Sequence, residues 1–183
     1  MAYRAEPVIR PPRHDELGRL RAIERAAGRM FLEIGMPEIA GDEPLAAAVL
    51  DRYRTAGWAW VVTVDGAGGA PAGYVVVDVL DEPGPAPGRS AHVEQVTVDP
   101  EHGGLGLGRR LLDHVAAVAR QRGLDAVTLT TFRDVPWNAP YYERCGFRTL
   151  TEVEVGPGLR RVRDAEAAHG LDPSQRVCMR RDL

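Results

Sequence analysis

The chain has few cysteines, no long apolar run and little excess of charge. Its two cysteines, Cys145 and Cys178, are too few for a disulfide framework and lie in no metal-ligand spacing, so we expect both to be reduced. The net charge of -3 favours neither nucleic acid nor a membrane surface as a partner. No segment has the apolar length of a membrane-spanning helix, and the first residues carry charges where a signal peptide is apolar. We therefore expect a cytoplasmic protein.

The length and composition fit one compact domain. Of the 183 residues, 44% are hydrophobic and 27% are charged, which is the balance of an ordinary globular protein. No internal repeat or linker divides the chain, so we expect a single domain over residues 1–183. The five histidines show no local zinc-type spacing, and we expect no metal site.

Hydrophobic periodicity predicts two helices near the N-terminus and mainly strands after them. The predicted helices cover residues 15–34, 45–54, the segment between Gly108 and Gly123, and 136–144. The predicted strands cover residues 8–10, 58–64, 74–80, 92–98, 126–132, 147–155 and 176–181. Residues 83–88 are predicted to form a loop, and residues 156–174 a charged connection with some helical character at 164–168.

This order, β-α-α-β-β-β-α-β-α-β-β, predicts a mixed α/β (α+β) fold with helices on both faces of the sheet. The strand, helix and strand over residues 92–132 imply a right-handed crossover between parallel neighbours. We expect a central sheet of six to seven strands with about four helices.

A glycine-rich turn between a strand and a helix is the most informative segment of the chain. Glycine permits positive φ and a close approach of the backbone to a ligand, and the first amides of a helix have no acceptor within it. Together with the positive end of the helix dipole, such amides bind anions, and a pyrophosphate fits the site. The residues expected to bind it are Gly103, Gly104, Gly106, Leu107, Gly108 and Arg109.

Three other interpretations of this turn have to be weighed. A dinucleotide fingerprint requires G-x-G-x-x-G, but the last glycine here, Gly108, comes one residue early and Arg109 takes its place. A P-loop requires Lys and Ser or Thr after the final glycine, where this chain has two arginines. A turn without a ligand is the third, although four glycines cost backbone entropy that an ordinary turn avoids.

The strand over residues 92–98 carries an ionisable pair on one face. Side chains alternate along a strand, so His92, Glu94, Val96 and Val98 point to the same side. A carboxylate in a central strand is costly to bury unless it is paired or used, and partial burial raises its pKa towards the range of a general base. The alternative for Glu94 is an ion pair with a nearby arginine.

Two motifs in this order resemble those of the GCN5-related N-acetyltransferase (GNAT) superfamily. The first is Val98-Asp99-Pro100 followed by Gly104-x-Gly106-x-Gly108 and an amphipathic helix. The second lies about thirty residues further on, where Asn138-x-x-x-Tyr142 precedes the Gly146-Phe147 pair. The resemblance is strong over roughly the central third of the chain, and the order of the flanking elements agrees with it.

The resemblance implies transfer of an acetyl group from acetyl-CoA, as co-substrate, to an amine of a small molecule or peptide in a ternary complex. It implies Glu94 as the base, with His92 as its partner or substitute, and Tyr142 as the acid that protonates the leaving thiolate. Asn138 and Tyr142 would contact the cofactor, as would backbone groups of Val96 and Val98. Many family members are dimers, so a homodimer is a possible assembly.

One position departs from the family pattern. Family members usually carry Arg or Gln where this chain has Gly103, which offers an amide but no side chain. This keeps open a non-catalytic acyl-CoA-binding sensor or partner domain as the alternative. Asn138 has the alternative role of a helix N-cap, and Tyr142 that of a packing residue. A covalent route through Cys145 is disfavoured because nothing adjacent activates it.

Overall fold

The computed structural model describes residues 6–82 and 88–183, which form seven strands and six α-helices joined by short 3-10 turns. The helices are α1 (Leu17–Gly28), α2 (Pro37–Ala40), α3 (Ala47–Thr55), α4 (Leu107–Gln121), α5 (Ala139–Arg144) and α6 (Pro157–Ala168). The strands are β1 (Val8–Arg10), β2 (Ala59–Thr63), β3 (Gly73–Glu82), β4 (Gly88–Val98), β5 (Ala126–Phe132), β6 (Arg148–Thr149) and β7 (Arg176–Asp182).

The strands form one mixed sheet in the order β1-β2-β3-β4-β5-β7-β6. The crossover from β4 through α4 to β5 joins parallel neighbours, as predicted, and the pairs β1–β2, β2–β3, β5–β7 and β6–β7 are antiparallel. The predicted mixed α/β class and the strand number are therefore confirmed. The helix count is higher than predicted because α2 and α6 were not expected as helices.

The chain divides into two compact units, each built from two segments. The first unit is Met1–Val77 with Gln95–Leu112, and the second unit is Asp78–Glu94 with Asp113–Leu183. In the first unit α1 and α3 bury Leu20 and Leu50 in one cluster with Val61 and Tyr74 of the sheet. The Tyr74 hydroxyl donates a hydrogen bond to Glu24 of α1, which satisfies its polar atom in the core.

In the second unit the strand registers assign side chains to two faces of the sheet. His92 is paired with Thr128, and Phe132 with Arg176, so these four side chains lie on one face. Helix α6 covers this face, where Leu159 packs in a cluster with Cys178. We call it the α6 face. On the opposite face Arg181 of β7 donates to Asp113 of α4 at 2.7 Å.

Two predicted segments differ from the structure. The strand expected over 147–155 is reduced to β6, because Glu154 folds the chain into a turn by accepting bonds from the amide and hydroxyl of Thr151. Val153 is 91% exposed as a result. The connection expected over 156–174 contains a twelve-residue helix, α6.

Smaller differences lie at other boundaries. The helix expected over 15–34 ends as an α-helix at Gly28 and continues as a 3-10 turn to Ile34, where Gly35 closes it with a φ of +74°. The loop expected over 83–88 lies, apart from Gly88, outside the described residues.

Candidate active site

The glycine-rich turn of the first unit has the backbone geometry of an anion site. Strand β4 ends at Val98, a 3-10 turn covers Pro100–His102, and α4 begins at Leu107. Gly104 and Gly106 adopt φ values of +75° and +70°, a region that side-chain-bearing residues rarely enter. The Gly106 carbonyl accepts the first helical bond, from the Arg110 amide at 3.1 Å.

The turn is open to solvent. Residues 103–106 are exposed, and no atom lies within 4 Å of the place that a Cβ would take on Gly104 or Gly106. Glycine is therefore required here by the backbone angle and not by crowding. The Leu107 side chain is buried and fixes the helix start, while the charged side chains of Arg109 and Arg110 are exposed beside it. An open helix N-terminus flanked by arginines attracts anions.

Gly103 differs from its neighbours in conformation. Its φ of -57° and ψ of 152° suit any residue, so the backbone does not require glycine at this position. A Cβ on Gly103 would lie 3.1 Å from the carbonyl oxygen of Pro100, which is a tight contact. A side chain here would require the 3-10 turn to shift by a few tenths of an ångström.

An ion pair anchors the turn to α1. Asp99 is buried, and its carboxylate accepts from the Glu101 amide at 3.1 Å and is paired with Arg19. Burial opposes ionisation of Asp99, but the Glu101 amide and the Arg19 guanidinium outweigh it, so the pKa of Asp99 is lowered. Sequence reasoning missed Arg19, because eighty residues separate it from Asp99.

Val96 and Val98 lie on the part of β4 that belongs to the first unit, and both are half-buried. Strand β3 approaches this part closely: a Cβ on Gly73 would lie 2.9 Å from the Thr97 carbonyl oxygen. The structure leaves the cofactor contacts expected of Val96 and Val98 as predictions.

Glu94 lies on the α6 face of the second unit, beyond the last registered pair between β4 and β5, which is Val93 with Leu129. Its side chain is accessible to solvent, yet enough protein surrounds it that partial desolvation raises its pKa. The negative charges of Asp78 and Glu166 raise it further, and Arg176 opposes them. A solvent-accessible carboxylate with a raised pKa has the environmental features of a general base.

His92 lies on the same face but is buried, with 1% of its surface exposed. Its Nδ1 is 3.1 Å from the Thr128 hydroxyl. Burial, aided by the positive charge of Arg176, lowers the pKa of His92 to about 4, so the ring is neutral at physiological pH. A role as the partner or substitute of Glu94 stays a prediction.

Helix α5 carries the other two predicted residues. Tyr142 is partly accessible and packs edge-to-face against Tyr141 and Phe147, with centroids 5.5 and 6.1 Å away. Desolvation by the surrounding protein raises the pKa of Tyr142 to about 12, so the phenol keeps its proton at neutral pH. Asn138 is at the N-cap position, but its side chain makes no capping hydrogen bond. Its main-chain carbonyl oxygen accepts hydrogen bonds from the Tyr141 and Tyr142 amides.

The sequence model of the acetyltransferase (GNAT) family matches residues 22–147, more than half of the chain. The chain belongs to this family. The match runs from α1 through the glycine turn to Phe147 of the second motif, and so includes every residue predicted for the site.

Known proteins resemble this GNAT chain to different extents. Glucosamine 6-phosphate N-acetyltransferase of Trypanosoma brucei brucei is 37% identical over 57 residues, which are 31% of this chain and 37% of that protein. The chain thus matches little more than a third of the length of that relative.

Solved structures share the fold over nearly the whole chain. N-acetylglutamate synthase from Neisseria gonorrhoeae, complexed with coenzyme A and N-acetyl-glutamate, has a TM-score of 0.69 and 17% identity, and the match covers 98% of this chain and 35% of that one. A GNAT-family acetyltransferase from Staphylococcus aureus Mu50 has a TM-score of 0.67 and 16% identity, with 97% and 99% covered. The chain has the GNAT fold.

This GNAT chain has two cysteines, Cys145 and Cys178. Both are buried and unbridged, and burial raises the pKa of Cys178 to about 11. In residues 6–82 and 88–183, no group of three or more His, Cys, Asp and Glu side chains is placed to hold a metal ion. Among the helices of the same residues, none combines the length and apolarity needed to cross a membrane.

Sequence reasoning missed the charged residues that surround Glu94. Asp78 and Glu166 come from β3 and α6, and Arg176 comes from β7. Alternation along β7 could have predicted that Arg176 and Cys178 share one face. It could not have shown that Glu94 lies on the same face, because this depends on the pairing of β7 with β5. The sequence predicted only some helical character at residues 164–168, and it gave no indication that Glu166 would face Glu94.

Proposed function

We propose that this GNAT chain transfers an acetyl group from acetyl-CoA to a primary amine of a small molecule or peptide, by direct attack in a ternary complex. The observation that carries the proposal is the open glycine turn before α4, with Gly104 and Gly106 at positive φ. Family membership favours acetyl-CoA over other pyrophosphate ligands at such a turn.

The amides at the start of α4 are proposed to hold the pyrophosphate of the co-substrate. Gly103, Gly104, Gly106, Leu107 and Gly108 contribute main-chain groups, and Arg109 contributes positive charge. Asn138 is proposed to contact the pantetheine arm, since its side chain is not used to cap α5. Backbone groups of Val96 and Val98 are proposed to bond the same arm and to stabilise the oxyanion.

Glu94 is proposed to accept the proton of the attacking amine, directly or through one water. An amine is mostly protonated at neutral pH and has to lose a proton before it can attack a thioester. Glu94 suits this step because it is accessible and its pKa is raised, with desolvation as the largest cause.

Tyr142 is proposed to donate its phenolic proton to the leaving thiolate. The pKa of about 12 keeps the phenol protonated at neutral pH, so its hydroxyl is present as a hydrogen-bond and proton donor for the leaving sulfur. The carboxylates Asp78, Glu94 and Glu166 favour a cationic acceptor, which agrees with an amine. We further propose a cytoplasmic location, with a homodimer as the assembly to be tested by molecular mass in solution.

The proposal is tested by following thiol release from acetyl-CoA in the presence of a panel of amino sugars, amino acids, polyamines and peptides. The chain contains no lysine, since all 23 residues counted as Lys or Arg are arginine, so it offers no lysine amine of its own as a competing acceptor. Amine-dependent thiol release that falls at least tenfold in Tyr142→Phe supports the proposal. Tight coenzyme A binding with no turnover across the panel would instead favour a non-catalytic acyl-CoA-binding domain.

A further inference from the structure

The α6 face of the second unit holds an ion pair that the proposed chemistry does not use. Side chains alternate along β4 and His92 is in register with Thr128, so Glu94 shares its face with Thr130 and Phe132 of β5. Phe132 is in turn in register with Arg176 of β7. Helix α6 crosses the same face and places Glu166 there, bonded to Thr130.

The Glu166–Arg176 pair is held rigidly from several sides. The Arg176 Nη2 atom donates to Glu166 Oε1 at 2.5 Å, and its Nε donates to Glu166 Oε2 at 3.3 Å, which is a forked contact. The same Nη2 donates to the Thr130 hydroxyl at 3.1 Å. The guanidinium carbon lies 4.7 Å from the centre of the Phe132 ring. The two side chains are only 12% and 18% exposed.

The two members of the pair act on Glu94 with opposite signs. The charges that reach Glu94 come from three elements: Asp78 of β3, Glu166 of α6 and Arg176 of β7. Asp78 and Glu166 disfavour its ionised form and Arg176 favours it. His92, the ionisable neighbour two residues earlier on β4, is neutral at physiological pH. Among the named groups of the described residues that act on Glu94, Arg176 is therefore the only positive charge.

We propose that the Glu166–Arg176 pair is a positioning pair, in which Arg176 offsets the negative charge of Glu166 and so prevents it from moving the pH range in which Glu94 can act as the base. The inference rests on the proposed function, because it takes Glu94 as the group that accepts the proton. Held by Thr130 and Phe132, the two charges stay at fixed positions, and their effects on Glu94 have opposite signs. Neither side chain is proposed to touch the substrate.

The test compares the pH dependence of kcat/KM in Glu166→Gln, Arg176→Met and the double variant. Activity needs ionised Glu94 and so rises with pH on the acid limb. Removing the charge of Glu166 should move this limb to lower pH, and removing that of Arg176 should move it to higher pH. At a fixed pH on the limb, we expect relative activity to change about twofold or more, upwards and downwards respectively. The double variant should return close to the wild-type limb.

A merely structural pair behaves differently. Losing either partner of a half-buried ion pair weakens the fold, so both single variants would lose activity at all pH values, and the double variant would not restore the limb. Arg176→Lys, which keeps the charge, should keep the wild-type limb even where it lowers the plateau. Glu152→Gln is the matched control, since it breaks the exposed pair of Glu152 with Arg163 of α6. It should leave the limb in place.

A carboxyl NMR titration of Glu94, assigned with Glu94→Gln, separates this proposal from the proposed function. Opposite shifts of the Glu94 titration in the two single variants support the pair even where catalysis uses another base. Shifts of the same sign, or none in either variant, overturn it. Where Arg176→Met fails to fold, Glu166→Gln and the double variant are sufficient. The Glu94 titration should move to lower pH in Glu166→Gln and return to the wild-type position in the double variant.

Discussion

At the scale of single residues, Glu94 and His92 show how neighbours on one strand face can have opposite properties. They are two residues apart on β4, yet Glu94 is accessible and has a raised pKa, whereas His92 is buried and neutral. The difference arises because His92 lies within the paired part of β4 and β5, and Glu94 lies beyond its last pair. The sequence analysis preferred Glu94 as the base, with His92 as its partner or substitute, and this assignment stays a prediction.

Glu94→Gln should lower kcat/KM by roughly 10²- to 10³-fold at neutral pH, because an amide cannot accept the proton of the attacking amine. The melting temperature should stay within a few degrees, since the side chain is accessible. Steady-state thiol release and thermal unfolding measure the two effects. Glu143→Gln removes an exposed carboxylate of α5 in the same unit and should retain full activity. Activity within threefold of wild type in Glu94→Gln would show that Glu94 is not the base.

His92 should make the protein less stable as the pH falls from about 6.5 to about 4. Its pKa in the folded state is about 4, below the value of about 6.5 expected when unfolded, so the unfolded chain binds the extra proton first. The free energy of unfolding should fall by at most about 3 kcal/mol over this pH range. Urea unfolding of wild type and His92→Gln between pH 7.5 and 4 measures it. The difference in the free energy of unfolding between wild type and His92→Gln should shrink as the pH falls. A difference that does not change with pH would contradict the lowered pKa of His92.

At the scale of elements, the helices and strands that could be predicted are those marked by residues within the element itself. The strands over 58–64, 74–80 and 126–132 were found within a few residues of β2, β3 and β5, because aromatic and β-branched residues fill them. The start of α4 was found because the turn glycines mark it. The positive φ values of Gly104 and Gly106 were predictable for the same reason.

The elements that were missed depend on contacts between distant residues. Alternating Val and Glu side chains over 151–155 suggested a strand, but Glu154 bonds Thr151 and forms a turn instead. Helix α6 begins at Pro157 and is capped from outside: the Glu82 carboxylate accepts from the Gly158 amide at 2.8 Å and from the Leu159 amide at 3.2 Å. No local pattern reveals a cap 76 residues away.

This remote cap predicts that the effects of two substitutions are not additive in a double-mutant cycle. Glu82→Ala should lower the free energy of unfolding by about 1 kcal/mol, because it removes the acceptor at the α6 N-terminus. A Cβ on Gly158 would lie 2.6 Å from Glu82 Oε1, so Gly158→Ala should displace the carboxylate and cost a similar amount.

In the Glu82→Ala background the closest obstacle is gone and the Asp81 carbonyl oxygen, 3.2 Å from the Cβ position, remains. Gly158→Ala should therefore cost less than it does in the wild type, because alanine favours a helix. Urea unfolding of the four proteins measures the cycle. Gly18→Ala of α1 is the control, since no atom lies within 4 Å of its added Cβ, and its effect should be the same in both backgrounds. Additive effects of Glu82→Ala and Gly158→Ala would show that the cap does not depend on the glycine.

At the scale of the whole molecule, family membership predicts acetyl-CoA as the ligand, and thermal unfolding tests this. A ligand that binds only the folded state raises its stability in proportion to ln(1 + [L]/Kd). Acetyl-CoA at about 100 times its Kd should therefore add about 2.7 kcal/mol, or a rise in Tm of roughly 5–10 °C. NAD at the same concentration should give a much smaller rise, because the turn lacks the spacing of the dinucleotide fingerprint.

Two glycine variants show whether the turn carries this effect. Gly106 and Gly66 have φ values of +70° and +76° and open space around the position of a Cβ, so alanine should cost each about 1–2 kcal/mol through the same strain. Gly66 lies in another loop of the first unit. Without ligand, both variants should therefore lose Tm by similar amounts. With acetyl-CoA, Gly66→Ala should keep the full rise in Tm and Gly106→Ala should lose at least half of it, because only the second disturbs the amides before α4. Equal rises in the two variants would mean that acetyl-CoA is bound elsewhere.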